Sequence, residues 1–408
     1  MASLRPLSQG ETRSRIEFAA AGFLQPVLRA LLDGEDAHRT AVWAAAKGLL
    51  PRERRAPLEA LRTQVLGLHF DSPICLAAGF DKDAEAVAGL LGMGFGAVEI
   101  GSVTPLPQPG NPKPRVFRIP ELGAVINSYG FNSQGHQYAR ANLDALAEVR
   151  AQGGVAGVVG VNLGKNKVTP EAQAANDYAK GVRALGKHGD YLVINVSSPN
   201  TPGLRNLQGR KQLATLVRAV QAERDALPGA RRPLLVKVAP DLDEAGLKDV
   251  ATVALDTGLD GVIVSNTTIA RPPEVKAAWC GNRPGGLSGR PLRERSTAAL
   301  ATLYRLTEGR VTLVGCGGVD SGKVAYEKIR AGASLVQLYT ALVFEGAPLV
   351  PRVKEDLAAL LERDGFTSVA DAVGMDHPPE LRDRAKQVRG AGKAISGAAA
   401  GRPWWRVW

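Results

Sequence analysis

Cysteine is scarce. Cys75, Cys280 and Cys316 are the three in 408 residues, with no CxxC pair, which excludes a disulfide scaffold and a cysteine-built zinc site and points to a reducing compartment. Histidine is thinly spread too (His38, His69, His136, His188, His377), without a close pair or an HExxH pattern, so no metal site is expected. Uncharged apolar runs of the length that crosses a bilayer are missing, and no spanning helix is expected. The opening MASLRPLSQGETRSR lacks the apolar stretch of a secretory signal, and Glu11 and Glu17 speak against a transit peptide. What is present is ordinary for a folded chain: 45% hydrophobic and 22% charged residues exclude a disordered or fibrous protein. The net charge of +11 fits either nucleic acid or an anionic membrane surface.

From about residue 72 short apolar runs alternate with amphipathic stretches. The runs are ICLAA (74–78), GAVEI (96–100), VAGVVGV (155–161), YLVINV (191–196), LLVKVA (234–239), GVIVS (261–265), VTLVG (311–315) and SLVQLY (334–339). Continuous apolar runs are the mark of strands buried on both faces, and parallel strands need helical crossovers. Eight of them predict an α/β fold, a (β/α)8 TIM barrel over residues 71–377, in preference to an open doubly wound sheet. GMGFG (92–96) precedes a strand instead of following one, which rules it out as a dinucleotide fingerprint. The proline-rich excursion 105–132 predicts a small hairpin, VFRIP and GAVIN around Glu121-Leu122, standing on the barrel rim.

The two ends differ from the middle. Residues 1–70 predict an N-terminal helical hairpin extension, with helices over 14–32 and 35–50 joined at Asp33-Gly34 and a kink at Pro26. Its apolar residues, among them Phe18, Phe23, Leu24, Leu31 and Trp43, suit packing on the barrel or a monotopic membrane element. Residues 378–408 predict a basic, Trp-rich flexible tail, with Trp404, Trp405 and Trp408 close to its end; it reads either as functionless or as interfacial.

In such a barrel, chemistry sits in the loops after the strands. Here those loops read AAGFDK, GSVTP, NLGKN, NVSSPNT, KVAPD, SNTT, GCGG and YTAL. They hold no histidine, no acidic pair and no metal cluster, which argues against hydrolysis and for cofactor chemistry. Lys82 and Lys237 can meet anionic groups, and Asn127, Asn162, Asn195, Asn200 and Asn266 can read a planar, amide-rich ligand. Gly317-Gly318 and Tyr339-Thr340, with Ser321 opening the next helix, match the usual phosphate position of the barrel, and Gly285-Gly286-Leu287-Ser288-Gly289 adds backbone amides.

Taken together, AAGFDKDAEAV, EIGSVTPLPQPGNPKPRVFR, INSYGFNSQG, GVNLGKNK, NVSSPNTPGLRNLQ, KVAPDL, SNTT, GGLSG, GCGGVDSG and SLVQLYTAL make the chain resemble the quinone-dependent (class 2) dihydroorotate dehydrogenases over about 14–375. The resemblance implies oxidation of dihydroorotate to orotate, the fourth step of pyrimidine biosynthesis, with FMN as cofactor and ubiquinone or menaquinone as acceptor. It implies Ser198 as the base at C5, where soluble members use cysteine, with Thr201 and Phe131 shaping the proton's exit. It assigns substrate binding to Lys82, Asn127, Ser128, Tyr129, Gly130, Phe131, Asn195, Asn200, Asn266 and Thr267. FMN binding falls to Ala78, Gly79, Phe80, Asp81, Lys82, Ser102, Asn162, Asn195, Lys237, Ser265, Gly289, Gly318, Tyr339 and Thr340.

For the acceptor, the resemblance implies a quinone tunnel past Leu28, His38, Ala41, Arg118 and Tyr339. The expected protein is a monomer, peripheral on the cytoplasmic side of the inner membrane, with no nucleic-acid partner. A soluble FMN enzyme using fumarate or a nicotinamide cofactor is the alternative that Ser198 and the N-terminal helices disfavour. A barrel without enzymatic activity is the other.

Overall fold

In this computed structural model, which describes residues 8–385, two helices, α1 (Gln9–Leu31) and α2 (Gly34–Ala46), precede the strands. A short hairpin follows, β1 (Thr63–Val65) and β2 (Leu68–Phe70). Then come β3 (Ile74–Leu76), β4 (Ala97–Val103), β5 (Val116–Ile119), β6 (Ala124–Asn127), β7 (Val158–Leu163), β8 (Tyr191–Asn195) and β9 (Leu234–Val238). The last four are β10 (Gly261–Val264), β11 (Gly286–Gly289), β12 (Thr312–Cys316) and β13 (Leu335–Leu338).

β3, β4, β7, β8, β9, β10, β12 and β13 pair in parallel and close into a barrel, one strand from each of the eight apolar runs. Every residue of β4 and β7 is buried, because one face meets the helices and the other fills the barrel. Cys75, Ala97, Val158, Tyr191, Val193, Leu235, Ile263 and Val314 pack together inside it with Val65 and Phe70 of the β1–β2 hairpin. That hairpin plugs the N-terminal end of the barrel, so the expected division at residue 70 falls inside the barrel's own packing.

The rim hairpin is present as β5–β6, and it carries a third strand that the glycine-rich reading of 285–289 did not foresee: β11 pairs antiparallel with β6 from Gly286↔Asn127 to Gly289↔Ala124. The helices also begin and end elsewhere than expected. Ser8 and Glu11 form a reciprocal capping box, Ser8 N donating to Glu11 Oε2 at 2.7 Å and Glu11 N to Ser8 Oγ at 3.2 Å, and α1 starts at Gln9. It runs on through Pro26 as one helix. Asp33 caps α2 by accepting from Glu35 N and Asp36 N. Gly48, at φ 68°, turns the chain out after Ala46.

Of the expected tail, residues 379–385 are helical, and Leu381 and Ala385 pack on the core. The side chain of Leu28 and residues 386–408, with Trp404, Trp405 and Trp408, lie outside the described residues.

Candidate active site

The strand ends open into a cavity of about 510 Å³ that continues without a break between α1 and α2. At its inner end, a chain of hydrogen bonds fixes the wall. Glu99, fully buried on β4, accepts from Asn162 Nδ2 (2.8 Å), Tyr191 Oη (3.0 Å) and Gln337 Nε2 (2.6 Å). Asn162 Oδ1 then accepts from Ser102 Oγ and from Asn195 Nδ2, the latter at 3.2 Å. Asn195 Nδ2 also donates to Ser102 Oγ (2.8 Å), and its Oδ1 accepts from Ser197 Oγ (2.7 Å). Asn266 Nδ2 donates to Ser197 Oγ (2.8 Å) and its Oδ1 takes the Thr267 N–H (2.8 Å). Each amide is thereby locked in one orientation.

Ser198, buried beside the cavity, accepts from Asn200 N at 3.2 Å, and Asn200 Nδ2 donates to Asn127 O at 3.2 Å. Thr201, three residues on, has a buried hydroxyl with no partner among the described residues. Phe131, at φ 56°, and Gly130 border the same space.

Lys82 stands on the loop after β3. Its ammonium donates to Gly79 O at 2.8 Å and lies 4.2 Å from the centre of the Tyr129 ring. Burial pulls its pKa down to about 8. The sequence sets it beside a helix N-terminus, but the helix Val87–Gly92 begins five residues later, and Asp81 serves the intervening loop by accepting from Glu85 N and Ala86 N. Burial raises the Asp81 carboxyl to about 6. Asp81, Ser128 and Asn162 therefore sit behind the wall, where they hold the lining residues without reaching the cavity.

Lys237, at the end of β9, lines the cavity, is 4% exposed and makes no hydrogen bond or ion pair to any described residue. A buried ammonium left this way is costly unless an anionic or carbonyl-rich ligand meets it. Elsewhere in the lining, Gly317 and Gly318 have φ 117° and 71°, conformations open to glycine. Their N–H groups, and that of Thr340, meet no described carbonyl. Thr340 Oγ1 donates to Ser288 Oγ at 2.9 Å, tying this corner to β11. Ser321 does not join it: its hydroxyl caps the helix Gly322–Arg330. Ala78, Gly79, Phe80, Ser265, Gly289 and Tyr339 complete the mouth.

Toward α2 the walls become aromatic. His38 lies edge-on to Phe80 at 5.4 Å and 6.1 Å from Tyr339. Its Nε2 is 2.6 Å from Phe80 O, and burial lowers its pKa to about 4, so it is neutral at physiological pH. Arg118 of β5 donates from Nη2 to Leu32 O at 2.6 Å and faces the same space, as does Ala41. The outer end is lined by Ala21, Leu24, Ala44 and Leu50. Beyond it, Phe23 is 83% and Leu31 76% exposed, the reverse of what packing on the barrel would give.

Residues that the sequence reading passed over hold this roof in place. Glu35 of α2 accepts from Arg115 Nε (3.0 Å) and Nη2 (2.8 Å), a buried bidentate pair, and Lys113 approaches at 3.3 Å. Arg115 Nη1 reaches Asn111 O (2.8 Å), and Asn111 Nδ2 reaches Ser128 O (2.9 Å) and Asn200 O (3.2 Å). Gln25 of α1 donates to Val343 O at 2.7 Å. Glu99 and Gln337 had a visible signal, a polar residue inside an apolar strand run. Glu35 and Arg115, eighty residues apart, had none.

Fold and site together define a (β/α)8-barrel enzyme whose ligand mouth is roofed by a helical hairpin. The chain belongs to the dihydroorotate dehydrogenase family, whose profile matches residues 60–361. It is 55% identical over 359 residues to a dihydroorotate dehydrogenase (quinone) of Azorhizobium caulinodans, covering 86% of this chain and 99% of that one. To the mitochondrial dihydroorotate dehydrogenase (quinone) of Mus musculus it is 53% identical, covering 88% and 90%. A crystal structure of the Eimeria tenella enzyme in complex with ferulenol superposes with a TM-score of 0.83 at 43% identity, covering 86% of this chain and 99% of that one. The family is flavin-dependent.

Proposed function

We propose that this chain oxidises dihydroorotate to orotate at the barrel mouth, with FMN as its flavin, and delivers the electrons to a quinone that enters between α1 and α2. The observation that carries the reading is the single cavity, which joins the amide wall around Ser198 to the alkyl walls of the helical pair. Bound at the mouth, FMN supplies the hydride acceptor and the carrier of electrons to the quinone. Lys237, buried and unpartnered, suits the electron-rich edge of a flavin, and the free N–H groups of Gly317, Gly318 and Thr340 suit its phosphate.

In this mechanism Asn127, Asn200, Asn266 and Thr267 hold the pyrimidine ring, while the Lys82 ammonium attracts its carboxylate. The Ser198 hydroxyl removes the proton at C5. Serine is a weak base in water, and here its burial and the unpartnered Thr201 hydroxyl offer the dry, relayed exit that it needs. Neutral His38, Tyr339 and Arg118 border the path on which a quinone head would stop. The exposed Phe23, Leu24, Val27 and Leu31 favour peripheral attachment to a bilayer by α1, and no helix among the described residues is long and apolar enough to cross a membrane.

The test is anaerobic. Purified protein should be yellow, bleach on addition of dihydroorotate and recover its colour with a quinone; a colourless chain that stays inert after reconstitution with FMN would refute the reading. Ser198→Ala should bind orotate normally and slow flavin bleaching about 10²–10⁴-fold in stopped flow.

A further inference from the structure

Four lysines are buried among the described residues, and they differ in what answers their charge. Lys165 lies in the field of Asp177 and Glu171, and Lys354 in that of Glu53. Lys237 faces the cavity. Lys328 does neither. It is 0% exposed on the helix Gly322–Arg330, and its ammonium donates only to two hydroxyls, Ser296 Oγ (2.8 Å) and Thr297 Oγ1 (2.9 Å).

The charged groups around it offer little help. Arg293 opposes it, Glu327 is its neighbour on the same helix and weaker in effect than Arg293, and burial keeps the Cys316 thiol protonated. Burial has pushed the Lys328 pKa down to about 8. An ammonium taken out of water without a counter-charge is costly. Hydroxyl dipoles offset only part of that.

Its position suggests where the counter-charge belongs. The lysine stem packs under Gly315, where an added Cβ would come within 3.1 Å of Lys328 Cδ. Ser296 Oγ, which receives the ammonium, lies 3.2 Å from Gly317 O. One hydroxyl therefore separates the cation from the underside of the Gly317–Gly318 turn, whose upper side lines the cavity and whose N–H groups are free.

We propose that Lys328 is a positioning residue, a buried cation beneath the Gly317–Gly318 turn whose charge is balanced by the phosphate of the flavin nucleotide bound above it. The inference rests on the FMN reading of the site and adds to it a residue that never touches the cofactor. Lys328 holds Ser296, Ser296 holds the turn, and the ammonium contributes positive potential that a phosphate feels through a few ångströms of protein.

The test compares FMN with riboflavin, which has the same ring and no phosphate, by fluorescence titration of the full chain stripped of flavin. Lys328→Met should weaken FMN binding at least about tenfold and riboflavin binding less than about twofold. Equal losses would mean a purely structural role and overturn the proposal, as would no loss for FMN. Should that variant fail to fold, Thr297→Asp decides: it gives the same ammonium a carboxylate of its own, and Thr297→Asn is its neutral control. Selective loss of FMN affinity in the aspartate variant supports the proposal, and identical behaviour of the two variants overturns it. A wild-type chain that takes up riboflavin as tightly as FMN sinks this inference while leaving a flavin site intact. A wild-type chain that takes up neither refutes the cofactor reading, and this inference with it.

Discussion

The two ends of the cavity are built by opposite rules. At the barrel mouth, polar side chains from five different strands or their following loops hold one another in a chain that runs from Gln337 and Glu99 to Asn266 and the Thr267 N–H. Between α1 and α2 the walls are alkyl and aromatic, and the apolar surface runs outward onto the exposed Phe23, Leu24 and Leu31. The first arrangement suits a planar polar ligand held in one orientation; the second suits a long apolar one, with little selection beyond width. Rigidity and permissiveness meet at His38, Phe80 and Tyr339, where the cavity passes from one regime to the other.

If the division is real, removing residues 1–60 should abolish quinone reduction while dihydroorotate-dependent dye reduction persists, measured with the two acceptors on one preparation. Full quinone activity in the shortened protein would break the comparison outright. A smaller effect is expected where the two halves are tied. Glu35→Gln removes the charge from a buried bidentate pair and should cost on the order of 2–4 kcal/mol of stability, read from the urea midpoint.

That effect carries a pH signature. The Arg115 guanidinium outweighs burial and holds the Glu35 carboxyl below its ordinary value of 4.5. The pair therefore stabilises the fold above that pH, and its contribution is lost as pH falls through the depressed folded value. The gap between wild type and Glu35→Gln should narrow as pH falls below about 4.5 and close beneath the depressed folded value; a constant gap would mean that the charge is not what joins the halves. The smallest effect belongs to the outer rim. Phe23→Ser should leave dye reduction unchanged and weaken sedimentation with anionic vesicles, its side chain contributing up to about 1.5–3 kcal/mol if fully inserted.

How much of this was legible in the sequence follows from how local the signals are. The eight barrel strands were, since a strand buried on both faces must be apolar throughout. The β5–β6 hairpin was too, through its prolines and turn. β11 was not, because GGLSG has the composition of a loop and became a strand only when β6, some 160 residues earlier in the chain, offered it an edge. Lys82 lines the cavity, but it stands farther from a helix N-terminus than its sequence neighbours imply: the helix starts at Val87, and an Asp81 turn fills the gap. Ser321 resembled part of a phosphate corner and is a helix cap.

By itself, then, the sequence determined the barrel, the set of residues at its strand ends and the apolar character of the N-terminal helices, because burial pattern and motif are written along the chain. Only the tertiary structure decided that the mouth and the helical pair share one cavity, that Glu35 meets Arg115 and that Lys328 lies beneath Gly317. Those depend on which surfaces face each other after the barrel closes, and no local pattern encodes the distance between groups that the chain separates by tens of residues.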